Sequence, residues 1–374
     1  MKRYAPPVPL HVDRALSVSS LGLDSATTAA AMRAGLSRPA PLYGFAEMDE
    51  SGEESQIRGH PIGLLTRGFE SVGRYRQLLG ALFARLHEPL GREKKIGTPL
   101  YLLVGVPDAE RYREGTVLAS GEPLGEDDDD FDLGGQSWED VVSSSLEAAG
   151  LAERFAVTRV VEAGPARSTR LLQLASRALE REPDATVVVA IVDTLADTAG
   201  LNWLSVTGRL KSAAYPVGVS PGEGAGALFL SRRASSASLR VESIGYAKES
   251  HDLFADAQPE GRALAELLDA FADEGEPGPL WSIANLSGEP APFFEWGMAG
   301  VHRRARAADP ERVADDPPWL PAMHVGETGA AFLPLALAWA TEACARGYAP
   351  AARCAIVIVE HGVRRALVAL SQKG

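Results

Sequence analysis

The sequence predicts an α/β protein whose sheets are largely parallel and covered by helices on both faces. Three observations lead there. The runs Leu100–Val106, Thr186–Asp193 and Cys354–Glu360 are apolar almost without break, as strands buried on both faces are. Between them lie segments such as Phe69–Leu86 and Ala330–Cys344, where apolar residues recur at helical spacing. The later part of the chain repeats the alternation of the earlier part, which suggests an internal duplication.

Taken in order, Val8–Val18 is a first strand. Leu21-Gly22-Leu23-Asp24 turns into a helix over Ala26–Ala34, with Asp24 or Ser25 as N-cap and Gly35 as the stop. Gly44–Ile62 is polar and rich in turn formers and reads as an inserted loop. The Phe69–Leu86 helix and the Leu100–Val106 strand come next. A second inserted loop spans 107–137, and its Asp127–Asp130 run lacks the glycine and closing glutamate of a calcium site, so it reads as a solvated loop. A helix over Trp138–Ala149, a strand over Thr158–Glu162, a helix over Ala166–Glu180 and the Thr186–Asp193 strand follow. Ala227–Ser231 and Leu239–Gly245 read as paired strands, Gly261–Asp273 as a helix and Leu280–Asn285 as a strand. Phe294–Ala307 and Ala330–Cys344 are helices, and Cys354–Glu360 and Ala366–Leu370 are the last strands. The division expected is 1–235 and 236–374, the two halves forming one compact unit.

Composition narrows the function. At 374 residues and 45% hydrophobic, the chain supports a large core. No run of eighteen uncharged apolar residues occurs, so no membrane span is expected. The start, Met1–Pro7, leads into a strand and not a signal-type apolar core, so a cytoplasmic location is the default. A net charge of −13 argues against nucleic acid as a partner. The abundance of Arg and Ala reads as genome composition of a bacterial kind. Cys344 and Cys354 form no CxxC pair and read as small buried residues, and neither a metal nor a cofactor is indicated. No GxGxxG follows the first strand, and there is no Walker loop, GxSxG elbow or HExxH.

The most informative stretch is Ser220-Pro221-Gly222-Glu223-Gly224-Ala225-Gly226-Ala227-Leu228-Phe229-Leu230, a glycine-rich turn feeding a buried strand. Such glycines permit close approach of another strand or loop. This segment resembles the GEGAG segment of beta-ketoacyl synthases, the condensing enzymes of the thiolase superfamily. The Leu21–Asp24 turn and its helix, the elbow at Val161–Ser168 and the His324–Leu333 helix start are similar to further landmarks of that family, in the same order. The resemblance covers the chain from about residue 8 to its end. It implies a thiolase-like fold: two pseudo-symmetric halves stacked as five α-β-α-β-α layers.

It also locates the catalytic positions, and none carries the expected residue. Condensing enzymes use a cysteine at a helix start and two further polar groups, His–His or His–Asn. The cysteine of the family's D-T-A-C-S-S maps to Gly164, beside Pro165. Ser168, one turn on, has no evident base. The first histidine maps to Leu286, or to Ser287 if the register slips by one, with Asn285 nearby as a donor or a turn residue. The second maps to Glu327, with His324 where the family has asparagine. Glu327 reads as a helix-start carboxylate favoured by the dipole, or as a base. The family's G-F-G-G-T-N-A-H is replaced by Glu360–Leu367, which keeps Gly362 and brings in Arg364 and Arg365, two arginines suited to a carboxylate or phosphate or simply to solvent.

Two functions follow as expectations. One is a catalytically degenerate synthase-like protein, a pseudoenzyme that works as a binding, scaffold or partner subunit. It would be a homodimer, or a heterodimer with a related synthase or another protein, as chain-length-factor subunits are. The edge strand of that dimer is expected near Thr186–Asp193. The other is an acyltransferase of the 3-oxoacyl synthase type with a remodelled site, with Glu327 as base, His324 assisting, and Ser287 or Ser168 supplying the hydroxyl. Acyl thioesters or an acyl carrier protein would be its ligands.

Overall fold

The computed structural model describes residues 1–48, 52, 54–92, 98–108, 112, 133, 135–235, 238–255, 257–273, 281–307, 309, 313 and 317–372. Asp127–Asp130 lies outside the described residues. The strands are β1 (Lys2–Tyr4), β2 (Leu10–Val18), β3 (Ala40–Met48), β4 (Glu54–Gly59), β5 (Leu100–Val106), β6 (Val157–Glu162), β7 (Thr186–Thr194), β8 (Glu223–Ser231), β9 (Leu239–Lys248), β10 (Trp281–Ala284), β11 (Arg353–Val359) and β12 (Arg364–Gln372). The helices are α1 (Ser25–Arg33), α2 (Gly63–Thr66), α3 (Ser71–Arg92), α4 (Trp138–Ala148), α5 (Arg170–Arg181), α6 (Thr198–Val206), α7 (Arg262–Asp273), α8 (Pro290–Arg306), α9 (Ala322–Val325) and α10 (Phe332–Ala345).

Ten strands form one sheet in the order β10-β11-β12-β9-β2-β8-β7-β5-β6, with β1 added on β9. Its two parts repeat one plan. In β2 and β5–β8 the first strand lies next to the fifth, then the fourth, second and third. In the second part β9, β12, β11 and β10 take the first, fifth, fourth and second places, and the third is reduced to a parallel bridge between Trp319 and Ile283. In both parts the fifth strand is antiparallel to its neighbours. The parts join where Leu10–Val12 of β2 meets Leu239–Val241 of β9.

Side-chain alternation produces five layers. In β7, Val187, Val189 and Ile191 face a core shared with Leu171, Leu172 and Ala175 of α5 and Leu333, Ala336 and Ala340 of α10. Ile356, Ile358, Val368 and Leu370 enter the same core from the second part, so α5 and α10 form a middle layer. The opposite residues Val188, Ala190 and Val192 pack under α3 and α4, through Leu78, Leu82, Val141 and Val142. Ala355, Val357 and Ala369 pack under α7, through Leu264 and Leu268. The thiolase-like architecture is therefore present.

The local signals explain most element ends. Asp24 caps α1, its carboxylate accepting from Thr27 N at 2.8 Å, and Gly35 takes a φ of +71° after it. Three expectations are corrected, and one helix is added. The 44–62 stretch is no loop: β3 and β4 pair as an antiparallel hairpin, whose polar residues and register shift hide the period-two pattern. β8 and β9 do not pair with each other, because β2 lies between them and binds both. β7 is interior, flanked by β5 and β8, and the free edge of its part is β6, where Val157 is 52% exposed. Finally, α6 went unread because Thr198 and Gly200 are poor helix formers; it is set by Asp197, which caps it through Gly200 N at 2.9 Å.

Candidate functional site

The segments singled out in the sequence meet between the starts of α5 and α10. β6 ends at Glu162, and Ala163-Gly164-Pro165 turns the chain into a short 3-10 turn, Ala166–Thr169, that continues as α5. On the other side Gly326, with φ +72°, ends α9, and the chain passes through Glu327 into a 3-10 turn over Gly329–Ala331 and then α10. The glycine-rich segment clamps this turn. Gly222 N donates to Glu327 O at 2.9 Å, and Glu327 N donates to Ser220 O at 2.9 Å. A β-carbon on Gly222 would lie 2.3 Å from Val325 O, and one on Gly226 would lie 2.7 Å from Pro334 Cβ in α10, so both positions require glycine. Asp193, at the end of β7, accepts from Ala330 N at 2.7 Å and fixes the start of α10.

Glu223, the acidic residue of that segment, is fully buried and structural. It accepts from Ile62 N, from the Thr66 hydroxyl at 2.6 Å and from the Thr194 hydroxyl at 3.2 Å, and it pairs with Arg74 at 2.9 Å. One carboxylate thus ties α2 and α3 to β7 and β8.

Between the two helix starts lies a cavity of about 40 Å³. That is room for one or a few waters, where small-molecule sites span roughly 300–1,000 Å³. Pro165, Asn285, Ser287, Glu289, Glu327 and Glu360 line it. The structure thus brings together Glu327, Ser287, Asn285 and the Gly164 elbow. It does not bring in the others. His324 donates from Nδ1 to Leu36 O, 2.9 Å away, and its ring stands edge-on to Trp339. Leu286 is buried in the outer core with Ala284 and Val357. Ser168 is buried and donates to Pro165 O at 2.6 Å, within its own turn. Cys354 lies in the shared core, where burial pushes its thiol well up, and Cys344 packs against that core half-buried.

Asn285 is a spacer between strands. Its Nδ2 donates to Val359 O at 3.0 Å and its Oδ1 accepts from Val359 N at 2.8 Å. The Ser287 hydroxyl donates to Glu289 at 3.3 Å and not to Glu327. Glu327 accepts from Gly329 N at 2.9 Å. Its carboxyl faces the small cavity and little bulk solvent. Burial pushes its pKa up to about 8, against the pull of the Gly329 N–H and Arg209 and with a further push from Glu289 and Asp193.

The residues that fill the site were not among the sequence candidates. A β-carbon on Gly164 would lie 2.6 Å from Oε1 of Glu360, so this buried carboxylate occupies the space into which a side chain at 164 would project. Arg209 binds Glu289 through Nε and Nη2, both at 2.7 Å, and lies over the rings of Trp203 and Phe254. Burial lowers its pKa, but the Glu289 carboxylate outweighs that and the net shift is upward. Arg209, Glu289 and Leu253 also line an outer cleft of about 710 Å³, so the pair forms the wall between cleft and cavity. His361 closes another side, edge-on to Trp203 at 4.9 Å. The sequence signal for this group was weak: an arginine after Thr207-Gly208 and a Glu-Pro helix start.

The solvent reading of Arg365 is corrected. It is fully buried, holds Glu295 in a two-pronged pair at 2.7 Å and donates to Glu360 O at 2.9 Å. Burial still pushes Glu295 above the usual carboxylate range, against the pull of Arg365. Arg364 is partly exposed and pairs with Glu360 at 3.3 Å.

No family model matches the chain, and no curated protein matches it. Solved structures do. A ketosynthase in complex with its chain length factor from Xenorhabdus doucetiae superposes with a TM-score of 0.66 at 11% identity, covering 98% of this chain and 99% of that one. A type II PKS ketosynthase bound to the hexaketide, in complex with its acyl-carrier protein, gives 0.70 at 12% identity over 98% and 100%. The chain has the ketosynthase fold. An oxazolomycin ketosynthase domain from Streptomyces albus agrees, with a TM-score of 0.63 at 14% identity over 98% of this chain and 74% of that domain. Within that ketosynthase fold, the place between the starts of α5 and α10 holds a glycine, three glutamates and a buried arginine.

Proposed function

We propose that this chain is a catalytically degenerate ketosynthase-like protein that acts as a partner subunit. The observation that carries this reading is Glu360, whose carboxylate stands over Gly164 in a cavity of about 40 Å³. A condensing enzyme needs a thiolate at that helix start and space for an acyl group. The Arg209–Glu289 pair walls the cavity off from the outer cleft. The likeness to ketosynthase and chain-length-factor complexes supports a role beside a related chain.

The surface proposed for that partner is the edge strand β6. Its outward residues are exposed and its far side has no neighbour among the described strands. An unpaired edge offers N–H and C=O groups to a second chain. The proposed partner is therefore a related sheet that adds a strand to β6, in a second copy of this chain or in a ketosynthase.

One observation favours a second reading, an acyl-transferring enzyme. Glu327, with a pKa near 8, shares the cavity with Ser287. Incubation with acetyl-CoA and malonyl-CoA separates the two. The partner-subunit reading predicts no thioester loss above buffer. Thioester loss that disappears in both Glu327→Gln and Ser287→Ala would replace it with the enzyme.

A further inference from the structure

A second concavity lies beside Arg364, against the first turn after Pro165. It measures about 450 Å³, within the range of small-molecule sites. Lys2, Arg167, Lys248 and Arg364 line it, so three elements and a helix start converge their cations on one groove. This occurs in a chain of net charge −13, so general basicity does not account for it. Arg167 shares Asp108 at 2.6 Å and Arg364 shares Glu360 at 3.3 Å. Among the described residues, Lys2 and Lys248 have no carboxylate partner.

Arg365 also lines the groove, with its guanidinium committed to Glu295, and the rest of the lining is mostly apolar. Ala166 and Ala247 form part of its floor, and the hydroxyl of Tyr246 is committed to Thr169 at 2.7 Å and Gln173 at 3.0 Å, which leaves its ring as lining. Four cations and an apolar lining in one groove suit one chemistry. We infer that this groove binds a small amphiphilic anion, its carboxylate or phosphate head among the four cations and its apolar body against Ala166 and Tyr246. The head would compete with Glu360 for Arg364, which couples the groove to the filled cavity. This inference shares the Arg364–Glu360 pair with the proposed function but does not rest on it, since Lys2, Arg167 and Lys248 line the groove whatever fills the cavity.

Calorimetric titration of the full chain with octanoate, octyl phosphate and inorganic phosphate tests it. Saturable one-to-one binding of at least one octyl compound is expected, and comparison of the two identifies the preferred head. Inorganic phosphate should bind at least about tenfold more weakly, because it lacks the body. Lys248→Glu and Lys2→Glu should each weaken the octyl ligand at least about tenfold. Lys211→Glu, at an exposed lysine outside the groove, should leave it unchanged. The inference is overturned if neither octyl compound saturates, if inorganic phosphate binds as tightly, or if both groove variants bind like the native chain.

Discussion

Oε1 of Glu360 lies 2.6 Å from the point a β-carbon on Gly164 would occupy. A β-carbon at 164 would force this carboxylate to move, whereas at Gly222 it would meet the backbone of Val325 and Gly326. A carboxylate end is more mobile than backbone, but this one is only 4% exposed and is held by Arg364. Gly164→Ala should cost about 1–3 kcal/mol in chemical denaturation, the range of overpacking in a filled site. Adding Glu360→Ala should return part of that loss, and the double-mutant cycle should give a coupling of about 1 kcal/mol. Strict additivity would mean that the two residues do not touch.

Arg209 and Glu289 form a buried two-pronged pair, 13% and 9% exposed. Removing one partner strands the other charge. Arg209→Met should therefore lower stability by about 3 kcal/mol, and Arg209→Met with Glu289→Leu by clearly less. Urea unfolding of the three proteins decides this.

Glu223 makes the same argument at the glycine-rich strand. Glu223→Gln keeps the shape but takes the buried carboxylate from Arg74, 7% exposed, and leaves it only the half-exposed Glu70 at 3.5 Å. A loss of about 3 kcal/mol is expected, with the first hydrogen-exchange openings in α2 and α3.

Glu327 and His60 contribute opposite slopes to the pH dependence of stability. Glu327 has a folded pKa near 8 against an ordinary 4.5, so between those values the folded state holds a proton that the unfolded chain has released. Its contribution falls as pH rises from about 4.5 to 8. His60 is buried, and burial first, then His324 and Lys211, lower its pKa to about 4 from 6.5. Here the unfolded chain binds the extra proton, so stability falls as pH drops from about 6.5 to 4. The two slopes cancel between about 4.5 and 6.5. Glu327→Gln should flatten the decline between pH 6.5 and 8, and His60→Gln the one near pH 4, in melting temperatures measured across that span.

Val157→Glu tests the edge strand. Val157 is 52% exposed, so the variant should keep the fold of the single chain, read by circular dichroism. Sedimentation at about 10 μM tests the second-copy partner: the native chain should be self-associated and the variant shifted toward monomer, and a native dimer that the variant leaves intact would remove β6 as the contact.

Much of this was legible in the sequence, for physical reasons that differ by element. The doubly buried strands β5, β7 and β11 announced themselves because both faces are apolar. The glycine-rich strand and the Gly326 turn were legible because close backbone approach leaves a compositional trace. The hairpin β3–β4 was not, since one of its faces is solvated and Gly44 interrupts it. Within the site, Glu327 and Ser287 could be placed on their cavity through the neighbouring motifs. Glu360 over Gly164 could not, because 196 positions separate them and neither residue alone marks the contact. Arg365 was misread for a related reason: an arginine on an apolar strand shows its burial only once Glu295 is seen opposite.

Intact-protein mass spectrometry after incubation with an excess of acetyl-CoA, malonyl-CoA and octanoyl-CoA tests the central claim most directly. With Glu360 standing where a nucleophile would project, the mass of the native chain should stay unchanged. A stoichiometric acyl adduct on the native chain, mapped to a residue lining the Gly164–Glu327 cavity, would contradict the account.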